Sequence, residues 1–503
     1  MTGGLLQLVA KGNEDIYLTY DPQITFFKMI YKRHTNFSIE SIPQNFNSNA
    51  DFGKKITCTI GKNADLISQI FIVVVLPKIN HFQESKLLSS LNSCAWTEFI
   101  GWSLIKYVEI EIGGYTINKH YGDWLRIWSE LTRTKNIGKS LDVMLGNVSE
   151  LTSFSSSKDN YTLYIPLYFW FCTNPGLALP IIALEYSDVK INIEFSGIND
   201  LLLLSPSHYI DIDDEIVQFE SGDILFQIIN NKKIYIKFVY FDNTERYKRL
   251  YYNKISPESI VSYSNDLLKN NYKLYSLDSK YFVYVKKLTT ELLHINKNKN
   301  FAWVNTLSIS NAYLLVDYIY LDIEERLKFI TSNHEYLIDV LIFDNDKIIT
   351  NNSTKIKLSY SHPCKELIFR CQMNYLVSNN LLQRFNYLLD YFKQTEIITA
   401  VNIIMNGNER VSQRSIDYFH FIQPFQHNSN TPLKGTYYYS FSLFPEHHQP
   451  SGSCNLSKID DFQLNITVNK EINYLNQAKI RIYGNCINIL RIINGYAGLA
   501  FSN

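Results

Sequence analysis

The chain has 503 residues, 46% of them hydrophobic and 19% charged, which excludes global disorder and supplies several buried cores. Lys and Arg total 48 and Asp and Glu total 48, so the formal net charge is zero. That balance excludes a chain-wide basic surface for sequence-independent nucleic-acid binding, and it removes long-range repulsion between copies. Tyr (36) and Phe (30) together exceed Lys and Arg, an aromatic excess that favours strands over helices.

Taken in chain order, the first apolar run carries Leu5, Leu6, Leu8 and Val9. It reads either as a capped strand of its own domain or as an arm that docks elsewhere. The first charge, Lys11, follows this run, the wrong order for a secretory leader. Residues 24–31 (ITFFKMIY) are expected to form a strand after the Asp21-Pro22 turn. Strands are also expected at 55–60 (KITCTI), at 66–76 (LISQIFIVVVL, its second half buried on both faces) and at 104–112. Gly113-Gly114 then signals a hairpin into a strand from Tyr115. Trp124, Leu125, Ile127, Trp128 and Leu131 fall at helical spacing and predict a helix over 121–132. Residues 161–184 are long enough to cross a bilayer, but Pro166, Pro175 and Pro180 interrupt them. A buried strand, a Pro-Gly turn and a second apolar strand over 178–186 explain the stretch better. Residues 189–195 complete a strand series with no βαβ alternation.

The second half replays the first. KITCTI at Lys55 has its counterpart in KIKLSY at Lys355. The stretch from Val108 matches that from Val401: strand, glycine turn, strand, then an acidic-aromatic pair, Asp123-Trp124 or Asp417-Tyr418. The aromatic strand from Tyr164 matches that from Tyr437, each entering a proline-flanked loop, and DVKINIEF at Asp188 matches DFQLNITV at Asp461. Two β domains of one fold follow. A shorter likeness links residues 234–250 to 314–330, each an amphipathic strand, an acidic turn and a basic helix start. Between them lies a segment rich in Asn, Lys, Ser and Tyr, read as an insertion in the first domain, since loops tolerate growth.

Chemistry-bearing motifs are sparse. The seven cysteines are widely spaced without a CxxC pair and read as reduced core residues. His427, His447 and His448 invite a metal reading, but adjacent residues of an extended segment face opposite ways, so a packed loop is expected. His334-Glu335 lacks the second histidine of HExxH, because Ile338 stands in its place. No phosphate-cradling loop, dinucleotide turn or nucleophile elbow is present. No catalytic residue, metal or cofactor is expected.

The run GGLLQLVAKGNEDIYLTYDPQITFFKMIYKRHTNFSIESI from Gly3 resembles the opening of the major capsid proteins of nucleocytoplasmic large DNA viruses, the iridovirus, phycodnavirus and mimivirus group. FWFCTNPGLALPIIAL at Phe169, LLVDYIYLDIEERLKF at Leu314, SHPCKELIF at Ser361, GTYYYSFSLFPEHHQPSGSCNLSKID at Gly435 and INILRIINGYAGLAFSN at Ile487 extend the resemblance nearly end to end. It implies an all-β fold of two tandem eight-stranded jelly rolls with a few short helices. The expected divisions are an arm over 1–22, a first jelly roll over 23–323 with its insertion at about 198–311, and a second over 324–503. The implied task is to trimerise into pseudo-hexagonal capsomers that tile an icosahedral shell. The implied partners are copies of the chain, neighbouring capsomers, minor capsid or cement proteins and the internal membrane side of the shell, without direct nucleic-acid binding. The implied location is the virion, assembled in the host cytoplasm. Leu5, Leu6, Leu8 and Val9, with Pro175, Pro180, Pro445 and Pro450 in equivalent loops of the two halves, are the candidate assembly residues. The sequence departs from the family at Leu18-Thr19-Tyr20-Asp21-Pro22, where Gly-Asn-Pro is usual, and in its insertion. A divergent paralogue, acting as a minor shell or a receptor- or glycan-binding surface protein, is the alternative, and the insertion is expected to face outward.

Overall fold

The computed structural model describes residues 2–80, 93–133, 135–206, 208–214, 217–229, 232–243, 248–254, 272–278, 281–286, 290–291, 304–374, 387–390, 394–474 and 477–501. Parts of the expected insertion, and the acidic turn at 244–247, lie outside them.

Alternating apolar residues build the first sandwich from eight strands: β1 (Phe37–Asn45), β2 (Lys55–Thr59), β3 (Leu66–Leu76), β4 (Ile105–Ile112), β5 (Tyr115–Tyr121), β6 (Tyr161–Pro166), β7 (Val189–Phe195) and β8 (Asn311–Leu321). They pair antiparallel in two four-stranded sheets ordered β1-β8-β3-β6 and β2-β7-β4-β5. Ile70, Ile72, Val74, Val108, Ile110, Ile191 and Val316 fill the space between the sheets.

The second sandwich repeats the plan with β9 (His334–Phe343), β10 (Ser353–Leu358), β11 (Pro363–Met373), β12 (Ile398–Met405), β13 (Asn408–Ser415), β14 (Thr436–Ser440), β15 (Phe462–Val468) and β16 (Ala478–Ile493). Its main sheet paths run β9-β16-β11-β14 and β10-β15-β12-β13, the first sandwich's orders shifted by eight. This is the double jelly roll, with two Greek-key sandwiches in tandem. The hairpins match in detail. Gly113-Gly114 and Asn406-Gly407 both turn with positive φ at two successive residues, as tight hairpins require.

The insertion joins β7 to β8. Seven of its described strands form a separate sheet with its own core of Ile210, Leu225, Ile236, Leu250, Tyr252, Leu274 and Val283, while Leu202–Ser205 pairs with Ser93–Trp96.

Three expectations are corrected. Residues 24–31 are not a strand; they are irregular, and Phe26 and Phe27 are almost fully exposed because no strand lies beside them. Residues 178–186 form no strand either. Leu179 makes a single bridge to Ile67, and then Ile181–Ala183 turns as a 3₁₀ helix after Pro180, which has no N–H for a ladder. The likeness of 234–250 to 314–330 also breaks down. The first stretch continues into the strand Lys248–Lys254, whereas the second enters a helix, Ile323–Thr331, capped by the Asp322 carboxylate.

Candidate assembly surfaces

The expected apolar arm begins as a helix, α1 (Gly3–Val9), and not as a barrel strand. Leu5, Leu6, Leu8 and Val9 are all more than half exposed, as are Tyr17, Leu18, Met29 and Tyr31 further along. Among the described residues this apolar surface has no covering partner, and contiguous apolar surface of this kind is uncommon on an isolated soluble chain.

The four prolines divide. Pro175 opens a 3₁₀ turn capped by the Asn174 side chain and is exposed, as is Pro450. Pro180 and Pro445 are buried within the chain, and the Pro445 carbonyl accepts a hydrogen bond from Lys365 Nζ at 3.0 Å. Those two residues serve loop packing.

The most informative surface is already occupied inside one chain. After β5 the chain enters α2 (Gly122–Thr132). Leu125 points into the first core, while Trp124, Ile127 and Leu131 pack on Leu341, Ile368, Tyr438 and Tyr483, the outer face of the β9-β16-β11-β14 sheet. The Trp124 and Tyr483 rings lie 5.7 Å apart, and Tyr121 meets Phe343 edge-on at 4.9 Å. Polar contacts frame this patch. Arg370, in β11, donates to Asp123 at 2.9 Å, to Glu130 at 3.1 Å and to Thr436 at 2.8 Å. Arg481, in β16, reaches Asp123 at 3.3 Å and Asp346 at 3.0 Å. Burial alone would push the Asp123 carboxyl upward, but Arg370, Arg481 and the Tyr387 hydroxyl outweigh it and hold it well below the usual carboxylate range. Asn118 adds two bonds across the seam, donating to the Asp339 carbonyl at 2.9 Å and accepting from the Leu341 N–H at 3.1 Å.

Among the described residues the equivalent segment of the second sandwich has no such cover. A helical segment over 418–427 follows β13. Phe419 turns into the second core, but Phe421, Ile422 and Phe425 are exposed, Phe425 at 87%. The loop beside it adds exposed Leu443 and Phe444, tied to the segment by His427 Nδ1 on the Leu443 carbonyl at 3.1 Å. The matching sheet of the first sandwich is only partly covered: Leu66 and Ile319 on the outer face of β1-β8-β3-β6 pack under Ala178 and Phe329 of the same chain, while Phe37, Ile39 and Tyr164 are exposed. Among the described residues one copy thus carries one buried helix-on-sheet contact, an exposed helical segment and a partly exposed sheet face that correspond to its two sides.

The three histidines of the metal reading diverge. His427 binds the Leu443 carbonyl, His447 stacks on Phe444, and His448 lines a seam cavity of about 130 Å³ with His120, Trp128, Tyr168, Trp170 and Asp339. Among the described residues no group of three His, Cys, Asp or Glu side chains gathers to hold a metal, and no helix is long and apolar enough to cross a membrane.

The seam residues Arg370, Arg481 and Asp346 were not foreseen from the sequence. The one signal for Arg370 and Arg481 is that they stand on the outer face of strands whose other face is apolar, a pattern shared by any solvated sheet, and Asp346 lies in the loop after β9.

Two family models match the chain. One described as major capsid protein N-terminus covers residues 25–242, and one described as large eukaryotic DNA virus major capsid protein covers 325–498. The chain is 40% identical to probable capsid protein 4 of Acanthamoeba polyphaga mimivirus and 34% identical to the major capsid protein of Pyramimonas orientalis virus, in both cases over 100% of each chain. A quasi-atomic model of the PBCV-1 virus capsid contains a similar structure, with a TM-score of 0.62 and 25% identity over 95% of this chain and 100% of that one.

Proposed function

The chain belongs to the major capsid protein family of large eukaryotic DNA viruses and is a structural component of the virion, and on that premise we propose that it assembles as a homotrimer through the helix-on-sheet contact that each copy leaves half-made. The observation that carries this reading is the inequality of the two helical segments, one buried by α2's packing and the other bearing exposed Phe421, Ile422 and Phe425. In the proposed contact, the 418–427 segment of one copy covers the outer face of β1-β8-β3-β6 in the next. Such a contact is heterologous, and it closes when the copies form a ring. Six similar sandwiches then surround one axis, and these capsomers tile the shell. The chain divides accordingly into an N-terminal arm, a first jelly roll carrying the insertion and a second from about residue 324.

The arm, with exposed Leu5, Leu6, Leu8 and Val9, is free to reach a neighbouring capsomer, a minor capsid protein or the membrane side of the shell. Pro175 and Pro450 stand on loops available for contacts between capsomers. Assembly takes place in the host cytoplasm, and the role is structural, without catalysis. The separate core of the insertion favours a second reading, a minor shell or glycan-binding paralogue with an outward-facing module.

Size-exclusion chromatography with light scattering tests the trimer. The wild-type chain is expected at three times 58.7 kDa, and the double variant Phe421→Glu, Phe425→Glu at one. A monomeric wild type, or a double variant that stays trimeric, sinks the proposal. Quantitative mass spectrometry of purified virions separates an abundant shell subunit from a scarce paralogue.

A further inference from the structure

Seven free cysteines are spread over the chain, and three of them meet in one row. Cys364 of β11 lies opposite Cys486 of β16 on one side and opposite Cys454 of the short strand Cys454–Asn455 on the other. Residues paired across antiparallel strands project from the same face. All three pack in or against the second core, Cys364 and Cys486 fully buried and Cys454 partly so. Paired positions set Cα atoms about 4.5–5.5 Å apart, inside the range of about 4.4–6.8 Å that a disulfide spans. The Cys364 thiol donates to the Glu366 carbonyl at 3.1 Å, so the ladder pairing is what brings it beside Cys486. The other cysteines lack such neighbours: Cys58 faces Ile191, Cys94 faces Leu204, Cys371 faces Ile480, and Cys172 sits in a short helix.

We propose that Cys454, Cys364 and Cys486 form an oxidation relay, in which a disulfide forms first between Cys454 and Cys364 and passes by exchange to Cys364 and Cys486. The oxidant is a disulfide, either a small molecule or a protein. The Cys454 thiolate attacks one of its sulfurs, forms a mixed disulfide and expels one thiolate. Cys364 then attacks the Cys454 sulfur and expels the second. Finally Cys486 attacks Cys364 and returns Cys454 as a thiol. Two protein thiols lose two electrons and two protons, and the oxidant leaves as two thiols. The order follows from burial, since Cys454 alone of the three is open to a reagent. Burial raises the Cys364 and Cys454 thiols, which keeps the thiolate fraction small and the reaction slow. A shell subunit made in a reducing compartment and released to an oxidising one meets the conditions that drive this change.

The native full-length chain is incubated with oxidised glutathione, denatured, alkylated and mapped by mass spectrometry. Alkylated thiols are expected to fall from seven to five, with Cys364 linked to Cys454 or Cys486. Cys364→Ser is expected to stop at a glutathione adduct on Cys454, and Cys454→Ser to slow cross-linking at least about tenfold. Circular dichroism checks that each variant folds, and the wild-type linkage stands without them. Seven alkylated thiols after oxidation, a bond to Cys58, Cys94, Cys172 or Cys371, or an unslowed Cys454→Ser variant overturns the proposal.

Discussion

Arg370 places a guanidinium, 1% exposed, between two carboxylates from a helix some 240 positions earlier in the chain. Removing one partner of such a group strands the others in a dry setting. Arg370→Ala is therefore expected to cost about 3–5 kcal/mol, read as a lower urea midpoint. The Asp123 carboxyl, held low by the two arginines, contributes stability that is present above the ordinary aspartate value of 3.8 and is lost as pH falls below it. His120 acts over a higher window. It is buried against Phe169 at 4.8 Å, and burial lowers it to about 3. The unfolded chain then binds a proton that the folded chain refuses, so stability is full above about 6.5 and declines as pH falls toward 3. In His120→Asn, the decline in unfolding free energy between pH 6.5 and 4, read from urea midpoints, should be shallower by up to about 1.4 kcal/mol per pH unit, while the loss below 3.8 remains. His362 and His420, also lowered by burial, leave a residual slope in that window. An unchanged profile would remove His120 from this role. Asp123 was marked in the sequence only as half of a repeated acidic-aromatic pair, and Arg370 was not legible at all, because a charged residue on a strand's outer face looks the same whether water or a distant helix covers it.

At the level of elements, local pattern served wherever a neighbour existed to reward it. The strands from Lys55, Leu66 and Val189 and the helix from Gly122 fall where alternation and helical spacing put them. The failure at residues 24–31 is instructive, since the apolar content of a strand is there but no edge accepts it. The junction of β5 and α2 depends on Gly122. A Cβ there would lie 2.2 Å from the Trp102 carbonyl oxygen and 2.3 Å from that of Ile105. These are backbone atoms and cannot swing aside, so Gly122→Ala is expected to destabilise by about 3 kcal/mol, the upper end for overpacking. It should also loosen the seam, because α2 would shift. A calorimetric scan checks the first expectation, and faster proteolysis between the sandwiches checks the second.

Across the whole molecule, the repeated order of strands, turns and acidic-aromatic pairs made the tandem architecture readable, because each half must solve the same burial problem. The seam was not readable, since it depends on which copy of a repeated helix meets which copy of a repeated sheet. In the proposed assembly the arm separates folding from association. Its side chains from Thr2 to Tyr31 are exposed except the half-buried Asp15, so deleting residues 2–31 is expected to leave the melting temperature unchanged within about 1 °C. The same deletion should abolish association beyond the trimer, as seen by electron microscopy of assembly mixtures. A large drop in melting temperature would show instead that the arm supports the barrels.

Strand β16 gives the molecule a particular order of completion. Its Ile480, Ile482 and Cys486 belong to the second core, whereas Leu490 and Ile492, with Ala497 just beyond, belong to the first. A ribosome that has already delivered all eight strands of the first sandwich has therefore not yet delivered the residues that close its far side. Both hydrophobic interiors wait for the same late stretch of polypeptide, so a nascent chain is expected to hold greasy, half-sealed barrels and to be most prone to aggregate until that stretch emerges.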